Sequence, residues 1–139
     1  MTTATDIQTA IESTLDSVAG LTVTDRAVTG NVAAKDMPAT VAVFDGYDDV
    51  NVSTETAERV GSWSVPVFLA MADPAAFKTA MLSVIPAIYR AFERDWTGDG
   101  LVSVTDGGEP EIVSDAGAAV IARKLLYVKV TFEEPLDAA

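Results

Sequence analysis

Carboxylates are the residues of this chain whose type and spacing could do chemistry, and they fall into two groups. The first is Asp45, Asp48 and Asp49; the second is Asp95, Asp99, Asp106 and Glu109, set among Gly98, Gly100, Gly107 and Gly108. Paired carboxylates serve as acid and base when an apolar pocket or a close neighbour separates their pKa values. Nothing near Asp45, Asp48 and Asp49 supplies such a pocket or a proton donor, so that group reads as a loop. The second group resembles an acidic calcium loop only loosely, because the glycine and the terminal glutamate of an EF-hand do not fall at their required offsets. It reads as a helix stop followed by a solvated turn. Gly107-Gly108 is too short, and too acidic in its surroundings, to cradle phosphate, and it too reads as a turn.

The chain contains no histidine and no cysteine. Ser-His-Asp and Cys-His catalysis, histidine- or cysteine-ligated zinc and a disulfide framework are therefore excluded. We expect no catalytic residue, no metal and no cofactor, and hence no enzyme. A carboxylate-dependent hydrolase is the enzymatic alternative, and it would be stabilised by a divalent metal.

At 139 residues the length suits a single domain over 1–139, and 49% hydrophobic residues suffice for a core. Twenty-one acidic against nine basic residues give a net charge of −12. That charge repels the phosphate backbone and argues against sequence-specific DNA binding. It leaves a solvated acidic surface, one adapted to high salt, or a wall along which DNA slides without sticking. No run of about 18 apolar residues could span a membrane, and Met1 to Asp6 lacks signal-peptide character. The expected location is the cytoplasm, or a structure assembled there.

The elements that must position these acids follow from periodicity. Ile7, Ala10, Ile11, Leu15 and Val18 predict an amphipathic helix over 5–19, capped by Thr5 with Gln8 and stopped by Gly20. Leu21, Val23 and Val28 suggest weak extended structure, and 40–44 a short strand after Pro38. Gly30-Asn31 reads as a turn. Asp45-Gly46 with Asp48-Asp49 marks a loop, and 50–56 is either an extended strand or a loop. Trp63, Val65, Val67, Leu69 and Met71 share one face of a strand, in which Pro66 requires an edge position or a nitrogen turned away from its neighbour.

Asp73-Pro74 opens a long helix whose stripe is Phe77, Met81, Val84, Ile85, Ile88, Tyr89 and Phe92, with Pro86 inside it and Gly98 or Gly100 at its end. Leu101, Val102 and Val104 begin a strand that runs into the turn 105–110, and Ile112 and Val113 can pair beyond it. Residues 117–133 predict a long strand with Ala118, Val120, Ala122, Leu126, Val128, Val130 and Phe132 on one parity. Lys124 interrupts that parity and predicts a bend, a bulge or a departure of the strand from the core. The order favours an α+β fold, an antiparallel or mixed sheet with both helices packed on one face.

Trp63 lies on the core parity of its strand, whereas Trp96 is a candidate for an interface. The long segments 45–58 and 105–117 are also interface candidates. The residues named for that role are Tyr47, Asp48, Asp49, Trp96, Asp106 and Glu109.

Four parts of the chain together carry a family resemblance: the opening helix, the strand Val65-Pro66-Val67-Phe68, the helix from Asp73-Pro74 to Ala91-Phe92, and the closing strand Leu126-Tyr127-Val128-Lys129-Val130. The layout resembles the tail terminator, or tail completion, proteins of long-tailed bacteriophages. The resemblance implies a virion structural protein, assembled in the host cytoplasm and found at the head-proximal end of the tail. It implies self-association into a hexameric ring that caps the tail tube protein, stops polymerisation and meets the head connector protein, while DNA passes without sequence-specific binding. The alternative is a small acidic protein-binding or chaperone-like accessory module with a basic partner.

Overall fold

The computed structural model describes residues 2–28, 33–53, 55–71, 73–114 and 120–136, with the side chains of 26, 28, 34, 49 and 114 outside the description. Helix α1 is Ala4–Asp16, and its N-cap lies two residues before the expected Thr5. Thr3 is the N-cap, because the Asp6 carboxylate reaches back to the Thr3 N–H at 2.9 Å while Asp6 N–H donates to the Thr3 hydroxyl. Gln8 is thereby free for another task. Gly20, at φ +79°, turns the chain after the helix.

Short strands β1 (Thr22–Val23) and β2 (Ala39–Thr40) follow, separated by single 3₁₀ turns at Asp25–Val28 and Ala34–Asp36. Val28 thus belongs to a turn and not to a strand. The expected Gly30-Asn31 turn lies outside the described residues. Strand β3 is Val43–Val52 and β4 is Thr56–Ala70, joined by a tight connection in which Ser53 N–H donates to Thr56 O at 2.8 Å. Helix α2, Pro74–Arg94, runs unbroken through Pro86, with Asp73 accepting from the N–H groups of Ala75 and Ala76. It stops at Asp95, earlier than Gly98 or Gly100. Strands β5 (Leu101–Asp106), β6 (Glu111–Ser114) and β7 (Ile121–Pro135) complete the described chain.

The seven described strands form one mixed sheet in the order β1-β2-β4-β7-β5, with β3 also paired to β4 and β6 to β7. β1 and β2 run parallel and all other pairings are antiparallel, so the fold is α+β with a mixed sheet. At its centre β4 and β7 pair without a register shift over fifteen residues, from Thr56↔Pro135 to Ala70↔Ile121. Each long strand covers roughly 50 Å at the usual rise.

Directly opposed residues share a face, so Trp63, Val65, Val67 and Leu69 of β4 stand beside Val128, Leu126, Lys124 and Ala122 of β7. Ile7, Ile11 and Leu15 of α1 and Val84, Ile85, Ile88 and Phe92 of α2 bury in one cluster with the apolar members of that set. Both helices therefore cover the same face. Ala27, Ala39, Val41, Phe68 and Ile121 make a second, smaller cluster.

Of two expectations about the sheet, the one for Pro66 resolves to its second alternative and the one for Lys124 needs correction. Pro66 is on an interior strand, flanked by β7 and by β2 and β3. Its carbonyl faces β2, where the Thr40 hydroxyl donates to it at 2.6 Å. In an antiparallel strand the nitrogen and oxygen of one residue face the same neighbour. The nitrogen of Pro66 therefore meets the gap between β2 and β3 at Val41-Ala42, where no N–H is required. Lys124 causes no bulge either: it stays opposite Val67 in unbroken register and is only 5% exposed.

Trp63 is fully buried, with its ring lying across Gly61. A Cβ on Gly61 would come within 2.6 Å of that ring, so the indole occupies the space a side chain would fill. Its Nε1–H donates to Gln8 Oε1 at 2.7 Å, and Gln8 Nε2 donates in turn to Ala42 O at 2.9 Å. One amide therefore ties α1 to both β4 and Ala42, the residue before β3. Replacing Gln8 with leucine should leave a buried indole N–H without a partner and cost about 1–3 kcal/mol. Urea unfolding reads this as a lowered midpoint; an unchanged midpoint would show that the amide is dispensable.

Candidate functional site

The acids Asp45, Asp48 and Asp49, expected in a loop, lie within strand β3. Register shifts between Phe44 and Gly46 and between Tyr47 and Asp49 insert Asp45 and Asp48 as extra residues. Each finds a partner across the ladder. The Ser64 hydroxyl donates to Asp45. Asp48 accepts from the Ser62 hydroxyl at 2.7 Å and pairs with Lys129 Nζ at 2.7 Å. Those hydrogen bonds, from Lys129 first and then Ser62, hold the Asp48 carboxyl below its ordinary pKa. The backbone of Asp49 lies opposite Val60, and its side chain is outside the described residues. The segment 50–56, left open between strand and loop, is extended as far as Val52.

The bulges also explain the other face of β3. Phe44, Tyr47, Val50 and Val52 oppose Trp63, Gly61, Arg59 and Ala57, so all four point to the side that carries the helices. They lie on an edge strand. Phe44 is 42% exposed, Tyr47 39%, Val50 39% and Val52 66%. Phe44 rests on Trp63 with ring centroids 4.9 Å apart and meets Tyr47 edge-on at 5.5 Å. The Arg59 guanidinium lies 4.8 Å from the centre of the Tyr47 ring and pairs with Glu134 at 3.1 Å. Burial, followed by the Glu134 charge, raises the Tyr47 phenol above its ordinary pKa, against the opposing pull of Arg59. The result is an anchored strip of apolar surface about 10 residues long.

Asp106 and Glu109 stand at the opposite edge, in the connection from β5 to β6. Asp106 accepts from Lys124 Nζ at 2.5 Å and from the Gly108 N–H at 2.7 Å, and the Gly108 carbonyl also accepts from Lys124. The Lys124 hydrogen bond, with that of Gly108 second, lowers the Asp106 pKa. Glu109 is exposed at the same turn. Of the segment 105–117, residues 105–114 are strand and turn, and 115–117 are outside the described residues. Trp96 is half-buried against Phe92, at 6.0 Å between rings, and its indole N–H donates to Gly100 O. The six residues named from sequence therefore do not converge. Tyr47, Asp48 and Asp49 share one sheet edge, Asp106 and Glu109 the other, and Trp96 closes the loop after α2.

Sequence reasoning missed a further surface on α2. Lys78, Leu82, Pro86, Arg90 and Arg94 follow one another at steps of four, which makes a ridge along the helix. All but the half-buried Pro86 are exposed, with Leu82 at 69%. Arg59, Arg123, Lys124 and Lys129 each hold a carboxylate, whereas Lys78, Arg90 and Arg94 have no ion-pair partner among the described residues. Arg90 and Arg94 border a shallow depression between the helices, with Ser17, Val18, Ala87 and Ala91. The repeat of four was the available signal.

Among the described residues, no group of three or more acidic side chains is placed to hold a metal ion. A shallow depression gathers Glu58, Asp99 and Glu133 with the threonines Thr2 and Thr131 and the apolar Leu101 and Phe132. Among the described residues no helix is long and apolar enough to cross a membrane. No protein-family model matches the sequence, and no curated protein matches it.

Proposed function

We propose that this chain is a virion structural protein, a tail terminator whose copies close into a ring on the tail tube, stop its polymerisation and present a surface to the head connector. The observation that carries the reading is the exposed apolar strip of β3 on an edge strand, with Phe44 packed on Trp63 and Tyr47 under Arg59. Apolar surface of this kind marks a place where another protein docks. The α+β layout is the one the family resemblance implies. The net charge of −12 suits a channel through which DNA moves without adhering.

Electron microscopy of lysates made without this protein tests the proposal. Tails of uncontrolled length lacking heads are the expected result. Tails of normal length joined to heads would refute it. Light scattering with purified tail tube adds a second readout: the terminator binds tube ends, whereas an acidic accessory module for a basic partner ignores them.

A further inference from the structure

We infer that copies of this chain join head to tail, with the β3 edge of one copy laid along the Lys78-Leu82-Pro86-Arg90-Arg94 ridge of the next. The inference rests on the self-assembling role proposed above and names the two surfaces that would meet. They share no residue, so the contact is heterologous and can close a ring when its rotation allows.

Charge selects a second copy as the occupant. A chain of net charge −12 repels itself unless contact places its acids against its cations. Among the described residues the three cations on α2 are unpaired, and they flank apolar Leu82 and Pro86. β3 carries the complementary pattern. Phe44, Tyr47, Val50 and Val52 run along the helix side of the strand; at one end Asp45, whose one partner among the described residues is the neutral Ser64 hydroxyl on the other face, follows Phe44, and at the other end Glu55 stands at the exposed turn. The lengths agree as well. Lys78 to Arg94 spans about 24 Å at the helical rise. Phe44 to Val52, which lie along β4 from Trp63 to Ala57, span roughly 20 Å at the strand rise because the two bulge residues add no length to the ladder. The stronger cation pair belongs at the acid-rich start of β3, which sets Arg90 and Arg94 against Asp45 and leaves Lys78 for Glu55.

Sedimentation of the full chain across micromolar to millimolar concentration, at low and high salt, tests the contact. The wild type is expected to associate, more weakly as salt rises. R90E/R94E should raise the dissociation constant at least about 100-fold while the melting temperature stays within a few degrees, because both residues are exposed and unpaired. Adding D45R to R90E/R94E should restore association, since the reversed charges face each other again. Association of R90E/R94E equal to wild type, or no recovery with D45R, would overturn this interface and leave the terminator reading standing. A wild type that stays monomeric throughout, and also with tail tube present, would overturn both.

Discussion

Replacing Trp63 with alanine is expected to remove about 3–5 kcal/mol of stability, the range for truncating a large buried aromatic. A domain of this size has only about 5–15 kcal/mol in all, so the variant should unfold at low urea or fail to accumulate. The cost has three sources. The cavity opens over Gly61, where no side chain can move in; Phe44 loses the ring it rests on; and Gln8 loses the donor it accepts from. Trp63→Phe keeps most of the packing and isolates the hydrogen bond. Combined with Gln8→Leu it should cost less than the sum of the two single changes, by about 1 kcal/mol, because both remove the same interaction. Additive losses would show that Gln8 and Trp63 act independently. Because β3 leans on Trp63 through Phe44, Trp63→Phe should also weaken the self-association proposed above before it unfolds the chain.

Asp106→Ala should destabilise the fold by about 1–3 kcal/mol, whereas Lys124→Met should change it by less than about 1 kcal/mol. The asymmetry follows from burial. The Lys124 side chain is 7% exposed and that of Asp106 55%. Removing the carboxylate strands a buried ammonium with only the Gly108 carbonyl, while removing the ammonium leaves an acid already in water. The full 3–5 kcal/mol of a broken buried pair is not expected, because Asp106 is half in solvent. Methionine also suits the position, which lies on the core parity of β7 beside Val67.

The pH dependence has a definite sign. The folded-state pKa of Asp106 is depressed, so its contribution is complete above the ordinary carboxylate value of about 4 and is lost as pH falls through the lower folded value. Wild type should therefore lose stability on acidification more steeply than Lys124→Met. Parallel urea midpoints from pH 6 down to pH 2 would refute the pairing.

Long amphipathic repeats made much of the fold legible. The stripe Ile7, Ile11, Leu15 and the stripe Val84, Ile85, Ile88, Phe92 lie on the buried sides of α1 and α2, and the odd residues from Trp63 to Leu69 face them from β4. Strand β3 was not legible, for a specific reason. Its core-side residues are Phe44, Tyr47, Val50 and Val52, at steps of three, three and two. Each bulge adds one residue, so two steps of three keep the same face while the alternation that identifies a strand disappears from the sequence. The acids of the candidate site were read as a loop because the bulges hold them. β1 and β2, two residues each, are too short to show any period.

The sequence by itself determined which faces are apolar, that both helices are amphipathic, that Trp63 lies inside, and that histidine and cysteine chemistry is absent. Those properties repeat along the chain or are fixed by composition. Only the tertiary structure decided that Pro66 sits in the middle of a sheet, that Lys124 is held in place by Asp106, and that Lys78, Arg90 and Arg94 on α2 have no ion-pair partner among the described residues. Each depends on which distant strand lies alongside. Pairing partners are chosen by the packing of the whole, and no local period records them.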